Sequence, residues 1–137
     1  MKCLDTTFLV DIVEDPGETT AIASNLESRG EVLATTVFNV YEALLGVHSL
    51  RDPGHRAKLL DQYAKAISRL VVLPVSFEDA AKAAEIGGHL RRQGQEVGAD
   101  SLTAAIALRA GCDGVVTRNR SHFEQIRKLT GLAVVPY

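Results

Sequence analysis

Five short apolar runs, each separated from the next by a stretch of helix length, constrain this chain more than any other feature of its sequence. They are Met1–Leu4, Val32–Thr35, Leu70–Val75, Val115–Thr117 and Leu132–Val135. Antiparallel neighbours can be joined by a two-residue turn, whereas parallel neighbours need a crossover of a dozen or more residues. The gaps here are of the second kind, so the pattern predicts a mainly parallel central sheet with helices on both faces, a three-layer α/β/α sandwich. In such sheets ligands gather beyond the carboxyl ends of the strands.

Local signals fill in the crossovers. Thr6 or Thr7 is placed to cap a helix reaching about Val13, and Asp15-Pro16-Gly17 breaks it. A helix from about Glu18 to Ser28 closes at Gly30, and Thr36 caps a long helix running to about Leu50, stopped by Asp52-Pro53-Gly54. His55–Arg69 is amphipathic, and the Leu-Val-Val-Leu run that follows it reads as a strand buried on both faces. Ser76 with Glu78 and Asp79 opens a helix to about Gln93, Asp100–Ala110 is an Ala-rich helix stopped by Gly111, and Ser121–Leu129 is a last helix closed by Gly131.

With 137 residues, no repeat and no linker-like tract, the chain reads as one domain spanning residues 1–137. Its 17 acids against 15 bases give a formal charge of -2, which excludes a broad electrostatic grip on nucleic acid and leaves only local basic patches for that purpose. Cys3 and Cys112 show no metal spacing and read as two reduced thiols. The N-terminus lacks signal-peptide character, and no apolar run approaches the roughly 20 residues that span a bilayer, so the expected location is the cytoplasm, with no membrane contact.

Four positions carry candidate chemistry. Asp5 follows the first strand directly and emerges at its carboxyl edge, although a turn or cap role accounts for such an Asp equally well. Glu42 sits at the border of an apolar arc formed by Val37, Phe38, Tyr41, Leu44 and Leu45, from which its carboxylate can reach the space between helix and sheet. Asp100 opens a helix, where capping and the helix dipole favour an acid. Asn119 lies two residues beyond the fourth strand, with the Thr117 hydroxyl beside it and Arg118 and Arg120 on either side to grip phosphate. Arg91 and Arg92 form a second basic pair, read equally as a solvated helix end.

In this order the segments Leu-Asp-Thr-Thr-Phe-Leu, Val-Tyr-Glu-Ala-Leu-Leu-Gly, Asp-Ser-Leu-Thr-Ala-Ala-Ile-Ala-Leu and Val-Thr-Arg-Asn-Arg-Ser-His-Phe resemble the four motifs of the PIN-domain ribonucleases of the VapC toxin type. The resemblance spans nearly the whole chain and implies a PIN-like fold. It implies that Asp5, Glu42 and Asp100 are an acidic triad binding one or two Mg²⁺ or Mn²⁺ ions, that Asn119 joins them in catalysis, and that Thr6, Thr117, Arg118 and Arg120 meet the substrate. Many members carry a fourth acid where this chain has Asn119, which leaves the ion count open between one and two.

The implied reaction is hydrolysis of an RNA phosphodiester with water as nucleophile and no covalent intermediate on a side chain. The implied partners are an RNA substrate, with transfer RNA the usual one, a short antitoxin protein that covers the site, and a second copy of the chain in a homodimer. An aspartate-based phosphatase needs a second Asp where this chain has Thr7, and no phosphate-binding Gly-rich loop with Lys is present. The remaining rival is a PIN-like module that docks RNA or a partner protein without cutting. His48, His55, His89 and His122 show no ligand spacing and read as surface or packing residues, His122 lying near the fourth motif.

Overall fold

The computed structural model describes residues 1–137 and has the element order β1 (Lys2–Leu4), α1 (Thr6–Glu14), α2 (Pro16–Ser28), β2 (Leu33–Thr36), α3 (Val37–His48), α4 (Pro53–Ile67), β3 (Val71–Leu73), α5 (Phe77–Arg92), α6 (Asp100–Arg109), β4 (Gly114–Thr117), α7 (Arg120–Thr130) and β5 (Val134–Pro136). The strands form one sheet in the order β3-β2-β1-β4-β5, and all four pairings are parallel. The sandwich expected from the spacing is therefore present. From β1 the chain winds outward through β2 and β3, then returns to place β4 on the other side of β1. The strand order reverses between β1 and β4, and by the rule for open parallel sheets the crevice for a ligand lies beyond their carboxyl ends.

Side-chain alternation along the strands sorts the core into two halves. Cys3, Ala34 and Val115 face a cluster with Ile86, Leu90, Ile106, Phe123 and Ile126 from α5, α6 and α7. Leu4, Leu33 and Val116 face the other way, against Phe8, Ala23 and Leu26 from α1 and α2. A satellite cluster of Ala43, Val47, Leu59 and Tyr63 seats α3 and α4 against α1.

Several boundaries differ from the sequence reading for definable reasons. The cap of α1 is Asp5 rather than Thr6 or Thr7, because the Asp5 carboxylate accepts the Phe8 amide and both threonines are already helical. Pro16 and Pro53 begin α2 and α4 instead of only ending what precedes them, since a proline's fixed φ and missing N–H suit the first helical position. The run Leu70–Val75 is not a strand buried on both faces. Only Val71–Leu73 pairs, at an edge of the sheet next to β2 alone, and Val71 and Val72 are 45% and 37% exposed. The apolar arc of α3 also turns outward. Val37, Tyr41 and Leu45 are exposed, and the buried face is Asn39, Ala43 and Val47.

Candidate active site

Asp5 directly follows β1, where the strand order reverses, and its carboxylate ties the start of α1 to the end of β4. Its Oδ1 accepts from the Phe8 amide (3.0 Å) and from Thr7 Oγ1 (2.6 Å), while Oδ2 accepts from Thr117 Oγ1 (2.5 Å) at the end of β4. Thr117 in turn accepts from the Asn119 amide (2.8 Å), and Thr7 accepts from the Arg118 amide (3.1 Å), so the turn after β4 is bound to the start of α1. Asp5 is buried and no cationic side chain touches it. Burial pushes its carboxyl above the ordinary carboxylate range, the hydroxyl and amide donors pull it down, and the charge of Asp100 adds to the upward push.

Asp100 is the first residue of α6. The residue at the cap position is Ala99, and the Asp100 side chain caps nothing. Its Oδ2 accepts instead from Asn119 Nδ2 (2.6 Å) and lies 2.8 Å from His122 Nδ1, while Oδ1 has no hydrogen bond within the protein. Burial raises this carboxyl as well, against the lowering effect of His122 and Asn119, and Glu42 contributes like-charge repulsion.

Glu42 reaches across from α3 to α1, where its Oε1 accepts from Thr6 Oγ1 (2.6 Å) and its Oε2 is without a protein partner. Thr6 is held by Asn39, whose Nδ2 donates to both Thr6 Oγ1 (2.9 Å) and Thr103 Oγ1 (3.0 Å) while its Oδ1 accepts from Thr36 Oγ1 (2.8 Å). Asn39 is fully buried, so a polar hub joins the starts of α1, α3 and α6 and sets where Glu42 stands.

The structure thus brings Asp5, Glu42, Asp100 and Asn119 to one edge, with Thr6 and Thr117 already donating to two of the acids. Arg118 lies beside them but is ion-paired to Asp11 (2.9 Å), and Arg120 at the start of α7 is exposed without an ion pair. Arg91 is drawn off to Glu96 (2.9 Å). Sequence reasoning missed Thr7, Asn39, Thr103 and His122. His122 had one signal, its position three residues after Asn119 on the same helical face, and Asn39 had the Thr-x-x-Asn spacing after Thr36. Thr103 had none.

Could this donor set hold a divalent cation? The acids offer hard oxygen ligands, two of those oxygens are unused by the protein, and the carboxylates repel one another through space. No three His, Cys, Asp or Glu side chains stand close enough to enclose an ion alone. The set suits Mg²⁺ or Mn²⁺, which are held by a few carboxylates while keeping several waters. An apolar cavity of about 210 Å³ bordered by Leu4, Ile12, Ala23, Leu33 and Leu70 contains none of these residues.

The family model of the PIN domain matches residues 2–129. This chain belongs to the PIN-domain family. Comparison with curated proteins returned no match. Among solved structures, the PIN fold of this chain is similar to FitAcB from Neisseria gonorrhoeae, at 25% identity and a TM-score of 0.75 over 98% of this chain and 96% of that one. VapBC2 from Rickettsia felis, solved bound to a DNA fragment from its promoter, has 20% identity and a TM-score of 0.80 over 99% and 98%. VapC20 from Mycobacterium tuberculosis, described as a Sarcin-Ricin loop cleaving toxin, has 18% identity and a TM-score of 0.62 over 88% and 93%. These structures therefore share the PIN fold of this chain over 88–99% of its length.

Proposed function

We propose that this PIN domain is a Mg²⁺- or Mn²⁺-dependent endoribonuclease, the toxin of a toxin-antitoxin pair, that hydrolyses RNA phosphodiester bonds. The observation that carries the reading is the convergence of Asp5, Glu42 and Asp100 from three separate elements onto the crevice beside β1, with Asp100 Oδ1 and Glu42 Oε2 left without protein partners. Asp5, Glu42 and Asp100 would hold the cation, with water completing its shell. When bound, it supplies Lewis-acid charge to the phosphoryl group and activates water as the nucleophile.

The chain's own residues do the remaining work. Thr7 and Thr117 fix the Asp5 carboxylate, Thr6 fixes Glu42 through the Asn39 hub, and Asn119 orients Asp100. Arg120 is placed to contact a phosphate of the RNA, and Arg118 offers a second contact while sharing its charge with Asp11. Transfer RNA is the substrate class we favour. A similar structure from Klebsiella pneumoniae is described as a toxin-antitoxin complex, and VapBC-5 from Mycobacterium tuberculosis as a member of a family of toxin-antitoxin systems, in keeping with an antitoxin as partner here. The outward stripe of Val37, Tyr41 and Leu45 on α3 suits a homodimer contact.

Incubating the purified, partner-free protein with total transfer RNA and Mn²⁺, with and without chelator, and sequencing the new ends tests this reading. Discrete cleavage sites that vanish with chelator are expected. Intact RNA under all conditions would support a module that docks RNA without cutting it.

A further inference from the structure

We propose that His122 is a positioning residue of this site, holding Asp100 through its Nδ1–H so that the free Oδ1 of that carboxylate is presented in one fixed direction. The inference rests on the nuclease reading and deepens it. His122 belongs to α7, one turn beyond the Asn119 cap, and α7 is anchored in the core by Phe123 and Ile126, which are 1% and 0% exposed. The position of the imidazole is therefore inherited from core packing. Its Nδ1 lies 2.8 Å from Asp100 Oδ2.

An ionised Asp100 carboxylate only accepts hydrogen bonds, which assigns the proton of this contact to Nδ1. Asn119 Nδ2 donates to the same oxygen at 2.6 Å and lies 2.9 Å from Nδ1. Nε2 has no partner within the protein, and the ring is 38% exposed. The terminal torsion of an Asp side chain is broad and two-fold, and a single donor leaves the carboxylate free to swing. Two donors from one helix turn lock its plane, with Oδ2 turned to the protein and Oδ1 left for the ligand. Partners of this kind, one step behind the groups that touch a metal, preorganise its site.

The test uses His122→Ala, His122→Asn and His122→Gln in the full chain, with circular dichroism to confirm folding. An Asn side chain places an N–H near the position of Nδ1, and a Gln side chain places one near Nε2. Calorimetric titration with Mn²⁺ should show affinity weakened about 10- to 100-fold in the Ala and Gln variants and restored to within about threefold in the Asn variant. Turnover of RNA should follow the same order through kcat with KM unchanged, because His122 acts on a carboxylate rather than on the substrate. Nitrogen-15 spectra of the metal-free protein should show the ring protonated at Nδ1. Equal Mn²⁺ affinity in all four proteins, rescue by Gln in place of Asn, or a ring unprotonated at Nδ1 would overturn the proposal. If the wild-type chain itself takes up no Mn²⁺, the nuclease reading fails and this role with it, while the spectra still show whether the His122–Asp100 bond exists.

Discussion

One carboxylate at position 5 both caps a helix and faces the crevice, which makes its two roles separable. Asn is as good an N-cap as Asp and does not leave an unpaired charge in a buried setting. Asp5→Asn should therefore keep or raise the melting temperature while RNA cleavage, followed by gel, falls by at least about 100-fold. A matching fall in both would mean that the residue matters only for folding. Asn39 behaves in the opposite way. Removing it leaves the Thr103 hydroxyl without its partner and takes one hydrogen bond each from Thr6 and Thr36, so Asn39→Ala should cost about 2–4 kcal/mol in urea unfolding and slow cleavage through misplacement of Glu42. Asp5, Asp100 and Asn119 were legible as candidates because each stands at a strand end or helix start within a recognisable motif, and Glu42 because its motif places it mid-helix at the border of an apolar arc. Thr103 was not, because its contact with Asn39 lies far away in sequence, and Thr7, Asn39 and His122 offered only spacings that local patterning does not tie to a site.

Helix α5 shows how the elements that flank the crevice are fastened. Ser76 and Asp79 form a capping box, and Asp79 Oδ1 also accepts from Arg109 Nε at the end of α6 (2.7 Å), binding the two helices together. The Arg109 guanidinium, with help from the Ser76 donors, holds the buried Asp79 carboxyl below its usual range despite its desolvation. A carboxyl with a lowered folded-state pKa stabilises the fold above the unfolded-chain value near 4 and loses that contribution as pH falls through the folded-state value. Wild-type protein should accordingly lose stability more steeply than Asp79→Asn as pH drops below about 4, measured by thermal melts across an acid series. Parallel acid curves would remove the pair from the account. Ser76 and Asp79 were readable as a helix start, whereas the tie to Arg109 was not. The outward turn of the α3 arc was also hidden, because that helix packs inward through Asn39 and Ala43, one polar and one small, and hydrophobicity alone selects the wrong face. The β3 misreading has a related cause: an apolar run signals burial, but β3 is an edge strand that leaves Val71 and Val72 partly open.

At the scale of the whole molecule, five parallel strands separated by helices were readable from spacing alone, and the reversal of strand order between β1 and β4 then dictates where a ligand must lie. What spacing does not disclose is the surface left over. Val37, Tyr41 and Leu45, at 48%, 59% and 51% exposure, form an apolar stripe on α3 one residue away from Glu42. If that stripe is the homodimer contact, Leu45→Glu should shift the purified protein from dimer to monomer in sedimentation velocity without altering its circular dichroism, and an unchanged sedimentation coefficient would place the contact elsewhere. For Asp5 just after β1, Glu42 on α3 and Asp100 on α6 to share a hard cation, Mn²⁺ must bind through them, which calorimetric titration into the wild-type chain, Asp5→Asn and Asp100→Asn measures. Saturable binding to the wild type that weakens at least about 10-fold in each variant is expected. No heat with the wild type, or equal binding by all three proteins, would contradict it.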